Sequence, residues 1–162
     1  MAKPYVLGID IGGTNTVFGI VDARGQVIAS DSIKTKKHAE FDDYVSELHA
    51  SIERLLRIND AEDKIQGVGI GAPNANYYTG EIVNPPNLPW GPVIPLAEKV
   101  SASFGGIPVA VTNDANAAAL GEMTYGAARG MNDFIMITLG TGVGSGIVIN
   151  GRMVYGHDGN AG

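Results

Sequence analysis

Two glycine-rich turns, each between two apolar strands, contain the residue types in this sequence that fit phosphate chemistry. The first turn runs from Asp10 to Asn15 and the second from Leu139 to Gly146. A turn without side chains lets backbone N–H groups approach a phosphate closely, and a threonine hydroxyl adds another donor. We therefore predict phosphate contacts from eight residues of the two turns: Gly12, Gly13, Thr14, Asn15, Gly140, Thr141, Gly142 and Gly144.

An acidic residue, Asp10, stands directly ahead of the first turn. A carboxylate repels phosphate oxygens unless a cation lies between them, and Mg²⁺ is bound in this way while it keeps much of its hydration shell. We predict that Asp10 orients Mg²⁺ through water. The alternative is a strand-end acid satisfied by the N–H groups of the turn itself. The two turns together predict one nucleotide held from two sides.

The elements that position these turns follow from apolar periodicity. Short connections make the first three strands antiparallel neighbours. Three strands, then helix, strand, helix, strand and helix, favour an α/β lobe of the ribonuclease-H-like type with a mixed sheet. The predicted strands are Tyr5 to Ile11, Asn15 to Asp22, Gln26 to Ile33, Ile65 to Ile70 and Pro108 to Thr112; the helices are Phe41 to Arg57, Pro95 to Phe104 and Asp114 to about Glu122.

Two further segments mark the organisation of the chain. Residues 75–92 form a long proline-rich loop, and loops of this length are usually functional or disordered; its tryptophan and paired prolines favour an ordered loop. Residues 126–130 break the helical pattern before the second turn and are the predicted hinge. We expect a first lobe at residues 1–125 and the beginning of a second lobe at residues 131–162.

Composition excludes several classes of function. A net charge of −6 argues against nucleic-acid binding. The absence of cysteine leaves no disulfide or thiolate metal site among these residues. No apolar run approaches the roughly 18 residues of a membrane span, so we expect a cytoplasmic protein without membrane contact. A small basic cluster is predicted to be a solvated strand end: Lys34, Lys36, Lys37 and His38.

Three ordered motifs resemble one family. Residues 10–15 with Gly19 are similar to the first phosphate motif of the sugar-kinase, heat-shock-protein and actin superfamily. Residues 112–122 resemble the substrate motif of the ROK family of bacterial glucokinases, N-acetylhexosamine kinases and sugar-responsive repressors, and residues 139–146 its second phosphate motif. The resemblance implies ATP-dependent, Mg²⁺-dependent phosphorylation of a hexose, most simply glucose at its 6-hydroxyl.

The resemblance also implies roles for single residues. Asp114 would be the catalytic base, at the start of a helix whose dipole favours the carboxylate form, and would also contact the sugar. Asn113 would hydrogen-bond sugar hydroxyls as both donor and acceptor. Pro73, Asn74 and Asn87 are weaker candidates for sugar contacts. The structural alternative for Asn113 and Asp114 is a helix N-cap, for which both residue types are preferred.

Other interpretations remain open. The sequence has no Gly-Lys-Ser or Gly-Lys-Thr, which excludes a P-loop, and its second turn lacks Rossmann spacing. A regulator that binds sugar or nucleotide without catalysis is the first alternative, and an actin- or heat-shock-like ATPase is the second. Against the family pattern, we expect this chain to be a fragment with little activity alone. The resemblance implies a structural zinc further along and a homodimer.

Overall fold

The computed structural model describes residues 4–85, 87–140, 142–159 and 161. Its helices and strands follow one another along the chain with few long connections. They are β1 Tyr5–Ile11, β2 Asn15–Asp22, β3 Val27–Lys34, α1 Phe41–Ile58, β4 Ile65–Gly71, β5 Ile82–Val83, β6 Val93–Ile94, α2 Leu96–Ser103, β7 Val109–Thr112, α3 Asp114–Tyr125, β8 Phe134–Leu139, β9 Val143–Ile149 and β10 Arg152–Met153.

The main sheet has five strands in the order β3-β2-β1-β4-β7. β1 pairs antiparallel with β2, and β2 with β3, as their short connections predict. β1, β4 and β7 run parallel, so their carboxyl ends lie at one edge of the sheet. The mixed sheet with flanking helices confirms the predicted α/β fold class.

The first face of the main sheet carries the hydrophobic core. Alternate residues of β1 and β4 point to this face and are buried, as the two-residue period of a strand requires. The apolar side of α1 covers it, and α1 also contacts α2. The core residues of α1 follow the predicted helical spacing: Tyr44, Val45, Leu48, Ile52, Leu55 and Leu56.

The second face of the main sheet receives α3. Gly71 follows the core residue Ile70, so a side chain at this position would point to the opposite face of the sheet. An added β-carbon there would lie 3.2 Å from Cβ of Ala117. On its other side α3 contacts a separate sheet of order β10-β9-β8. α3 therefore lies between the two sheets.

Two sequence predictions gain detail from the fold. The proline-rich loop is ordered where it is described, since β5 and β6 pair within it and Trp90 is buried. α3 continues beyond the predicted end at Glu122 to Tyr125, whose ring occupies the space beside Gly25 in the β2–β3 turn. No helix among the described residues is long and apolar enough to cross a membrane.

Candidate active site

The carboxyl edge of the main sheet brings together residues that are about a hundred positions apart. Asp10 on β1 pairs in register with Gly71 on β4, and Gly71 with Thr112 on β7. Asn113 and Asp114 follow directly, so the sheet carries Asp114 to the same edge as Asp10. Ligands of open α/β sheets bind outside this edge.

Both carboxyl groups line one cavity of about 370 Å³. Partial burial raises the pKa of Asp10 above its usual value, and the negative charge of Asp114 raises it further. Thr138 of β8 lines the opposite wall, so the cavity lies between the two sheets. Its full lining is Ile9, Asp10, Gly71, Asp114, Ala115, Ala117, Ala118 and Thr138.

The start of α3 is capped by Asn113. Its Oδ1 accepts hydrogen bonds from the backbone N–H of Ala115 at 2.8 Å and of Asn116 at 3.1 Å. Capping therefore engages the oxygen of the Asn113 amide, and its nitrogen is left to donate to a ligand. The predicted sugar contact of Asn113 stays a prediction, and donation by its amide nitrogen is the part that capping leaves free. Asp114 is the first helical residue and is exposed.

The first glycine turn is closed by a hydrogen bond from the Gly12 N–H to the Asn15 carbonyl, at 3.0 Å. Thr14 and Asn15 are exposed at its tip. Gly13 is needed for close approach, because a β-carbon there would lie 3.0 Å from Cβ of Asn87. The turn and the loop carrying Asn87 are thus in contact, which the sequence did not predict.

The positively charged side chain of Lys34 lies beside the first glycine turn. The Lys34 Nζ donates to the Asn15 side chain at 2.9 Å. The sequence predicts a solvated strand end at Lys34, and this residue is exposed in the structure. The register of β2 with β3, which pairs Asn15 with Lys34, is what brings its charge to the turn.

The side chain of Asn74 makes its hydrogen bonds within the loop region that follows β4. Asn74 adopts a positive φ of 52°, and its amide donates to the carbonyls of Val83 and Asn84. Its side chain thus holds the loop, and its oxygen is the atom left for a ligand. Asn87 is exposed. Pro73, Asn74 and Asn87 lie outside the lining of the cavity that holds the two aspartates.

The second glycine turn divides into two parts. Added β-carbons at Gly140 and Gly142 would meet nothing within 4 Å, so the tip is open to a ligand. Added β-carbons at Gly144 and Gly146 would instead meet Ala115 and Ala119 of α3. Helix packing therefore explains two of the four alternating glycines, which sequence reasoning assigned to ligand approach. Thr141 lies outside the described residues, and its predicted phosphate contact stays a prediction.

The donor set fits Mg²⁺ bound mainly by water and phosphate. Two carboxylates share the cavity, and no group of three or more His, Cys, Asp or Glu side chains among the described residues could hold a metal ion. Mg²⁺ is commonly bound by one or two carboxylates with waters and substrate phosphates, whereas a site built wholly from protein needs more ligands. Asp10, next to the first turn, is the residue suited to this role.

The sequence missed Thr138, the one described residue of the second sheet that lines the cavity. In β8 the less exposed positions alternate, at Phe134, Met136 and Thr138, and this is the face toward α3. A polar residue ending that alternation was the available signal. This signal can be recognised only when it is known which face of β8 is covered by α3.

Comparison with known proteins gives a consistent result. Residues 6–162 match the model of the ROK family. The chain is 39% identical over 156 residues to a glucokinase of Streptomyces coelicolor, covering 96% of this chain and 47% of that protein. It is similar to the structure of a ROK family glucokinase from Streptomyces griseus in complex with glucose and AMPPNP, with a TM-score of 0.81, 35% identity and coverage of 96% and 47%.

Regulators also occur among the similar proteins. The xylose repressor of Caldicellulosiruptor bescii is 32% identical over 97% of this chain, which spans 39% of the repressor. The chain spans about half the length of the glucokinases that it matches.

Proposed function

This chain belongs to the ROK family, and on that premise we propose that its site serves ATP-dependent transfer of a phosphoryl group to a hexose. Glucose, at its 6-hydroxyl, is the proposed first substrate, because similar proteins are named glucokinases and one was solved with glucose and AMPPNP. The observation that supports the proposal most is the cavity shared by Asp10 and Asp114.

In this proposal Asp114 is the catalytic base. Its carboxylate is exposed at the amino-terminal end of α3, and one of its oxygens accepts the N–H of Ala115 at 2.8 Å. The other oxygen is available to take the proton of the attacking hydroxyl. An aspartate is a weak base, so the proton moves late, as the phosphoryl group arrives. The Asn113 amide would donate to a neighbouring sugar hydroxyl and orient it.

The nucleotide would be held between the two turns. Backbone N–H groups of residues 12–15, and of Gly140 and Gly142 at the open tip of the second turn, would donate to phosphate oxygens. The Lys34 ammonium beside Asn15 adds positive charge at the first turn. Bound Mg²⁺ would neutralise phosphate charge there. Asp10 would orient it through water.

The test is a coupled assay over a panel of hexoses and N-acetylhexosamines, on the protein expressed from its complete natural reading frame. We expect sugar-dependent ADP release, and Asp114→Asn should reduce turnover by about 10²- to 10⁴-fold, the range for a general base. Because Asp114 would also contact the sugar, sugar affinity is measured by calorimetry in parallel, and the loss of turnover should exceed any loss of affinity. Unchanged turnover in Asp114→Asn would remove this residue from the mechanism.

The alternative of a regulator that has kept the fold without catalysis is favoured by the similarity to a xylose repressor. It predicts sugar binding without ADP release for any sugar in the same panel. An actin- or heat-shock-like ATPase would instead hydrolyse ATP at a rate that added sugar does not change. The one assay separates the three functions.

Several expectations remain proposals. We propose a cytoplasmic enzyme of carbohydrate metabolism, a homodimer, and a structural zinc outside these residues. We also keep the division into a first lobe at residues 1–125, a hinge at residues 126–130 and a second lobe from residue 131. Because α3 contacts both sheets, movement of one sheet against the other would have to repack this helix.

A further inference from the structure

A buried hydroxyl cluster lies directly behind the first glycine turn. The Tyr44 hydroxyl and the Thr16 Oγ1 are 2.8 Å apart, and Thr16 Oγ1 is 3.0 Å from Thr35 Oγ1. All three side chains have no exposed surface. Thr16 follows Asn15 in sequence, and the Thr35 N–H donates to the carbonyl of Thr14 at 3.0 Å. The cluster therefore holds both ends of the tip residues Thr14 and Asn15.

Tyr44 also supports the loop that carries Asn87. The Trp90 ring packs on the Tyr44 ring with centroids 4.4 Å apart, and its indole N–H donates to the carbonyl of His38 at 3.3 Å. Trp90 is three residues beyond Asn87, whose Cβ lies against Gly13. One face of the Tyr44 ring therefore holds the loop, while its hydroxyl holds the turn.

We propose that Tyr44 is a positioning residue that fixes the phosphate turn at residues 12–15 and the Asn87 loop relative to each other. A core aromatic residue needs no hydroxyl, and phenylalanine would fill the same volume. The Tyr44 hydroxyl is fully buried, where an unpartnered polar group is costly. Burial raises the pKa of Tyr44, so the hydroxyl stays protonated and can donate or accept in its hydrogen bond with Thr16.

This inference rests on the proposed function in one respect, that the turn binds phosphate and the loop binds sugar. Fixing the two together would pre-form the site for both substrates. Ordering a turn before binding lowers the entropy lost on binding. Removal of the hydroxyl should then weaken ligand binding although Tyr44 touches neither substrate.

The first experiment needs no ligand. Hydrogen exchange is measured on the 162-residue chain, well below its unfolding transition, for wild type, Tyr44→Phe and Tyr5→Phe. Tyr5 packs against the same core with no hydrogen bond to the turn, so Tyr5→Phe is the matched control. We expect exchange in residues 12–16 to rise about fivefold in Tyr44→Phe alone, as the loss of one net hydrogen bond predicts.

If Tyr44→Phe only lowered the stability of the whole fold, exchange would accelerate throughout the sheet. The proposed local role predicts instead that exchange in β4 and β7 stays unchanged. Equal acceleration of β4, β7 and the turn, or an unchanged turn, would overturn the proposal. Thr16→Val removes the same bond together with the bond to Thr35, so its local effect should be at least as large. The double variant should be no worse than Thr16→Val alone, since that variant already removes the bond that Tyr44→Phe removes.

The second experiment titrates AMPPNP with Mg²⁺ into the protein from its complete reading frame, with and without glucose. We expect Tyr44→Phe to weaken nucleotide affinity by about fivefold, while Tyr5→Phe leaves it within twofold of wild type. Faster turn exchange with unchanged affinity would overturn the positioning role. If the wild type binds no nucleotide, the proposed function fails, and the exchange experiment alone still decides whether Tyr44 anchors the turn.

Discussion

The carboxyl group of Asp10 is held where its ionised form is disfavoured. Burial raises its pKa and the charge of Asp114 raises it further. Asp22 gives the contrast, because its carboxylate accepts hydrogen bonds from backbone N–H groups, chiefly that of Gln26, and these lower its pKa. The two acids, on strands of the same sheet, therefore have pKa values shifted in opposite directions.

This contrast predicts opposite pH dependences of stability. The raised pKa of Asp10 means that the folded state binds the proton more tightly, so stability is lost as pH rises from about 4 through the raised pKa. Asp10→Asn removes that loss and should make the metal-free, nucleotide-free chain more stable near neutral pH. Denaturant midpoints measured from pH 3 to pH 7 test this.

Asp22→Asn is the matched control, since the lowered pKa of Asp22 stabilises the fold above its usual pKa. That variant should be less stable than wild type at neutral pH. Nucleotide binding should fail in Asp10→Asn and persist in Asp22→Asn. A loss of stability at neutral pH in Asp10→Asn would show that its charge serves the fold rather than a bound cation.

At the scale of elements, close contact with α3 requires small residues at the strand positions that face it in both sheets. The first sheet presents Gly71 to Ala117, and the second sheet presents Gly144 and Gly146 to Ala115 and Ala119. The alanine-rich face of α3 and the glycines of both sheets let the backbones approach closely. The site depends on this contact, because α3 carries Asp114 and β8 carries Thr138.

Two alanine substitutions in one hairpin should therefore have different effects. Gly146→Ala places a β-carbon against Ala119 and 3.0 Å from the Ala115 carbonyl oxygen, and overpacking of this kind costs about 1–3 kcal/mol. Gly142→Ala enters open space and should leave the unfolding midpoint nearly unchanged while it weakens nucleotide binding. Thermal unfolding and an AMPPNP titration give the two readouts.

Equal loss of stability in both glycine variants would contradict the division of roles. Full nucleotide affinity in Gly142→Ala would contradict the proposed phosphate contact at the tip. Gly140→Ala repeats the second comparison, because an added β-carbon there also meets nothing within 4 Å.

The elements show what the sequence could and could not predict. Strand alternation and helical spacing in residues 5–58 are local patterns, and the fold follows them closely. The extension of α3 to Tyr125, the packing role of Gly146 and the contact of Gly13 with Asn87 depend on residues far apart in sequence. Asp10 was predicted from its place beside the first glycine turn and Asp114 through motif resemblance, whereas Thr138 needed the orientation of β8 against α3.

At the scale of the whole molecule, the second sheet presents an apolar outer face. β8 and β9 alternate, so the residues that point away from α3 form one exposed row: Ile135, Ile137, Leu139, Val143 and Ile149. The second face of the main sheet also carries an open groove of about 820 Å³, lined by residues such as Val6, Val17 and Tyr125. Apolar surfaces of this extent are typical of faces that contact further protein.

These surfaces lead to a prediction for the 162 residues taken alone. The proposed reaction needs phosphates held from two sides and water excluded by closure, and here the second side consists of a three-stranded sheet with an exposed tip. We therefore expect little or no sugar-dependent ADP release from this chain in the coupled assay. The same chain carrying Asp114→Asn is the control, because a kinase contaminating the preparation would be equally active in both samples.

Turnover of glucose by the 162-residue chain within the range of about 1–100 s⁻¹ that kinases reach, together with its loss in Asp114→Asn, would contradict the prediction. It would mean that α3 and one hairpin complete the site, with the two turns sufficient to hold the nucleotide. Activity of equal size in both samples would instead be assigned to contamination. Because the cavity holding Asp10 and Asp114 is already formed here, the outcome depends on closure and on nucleotide contacts.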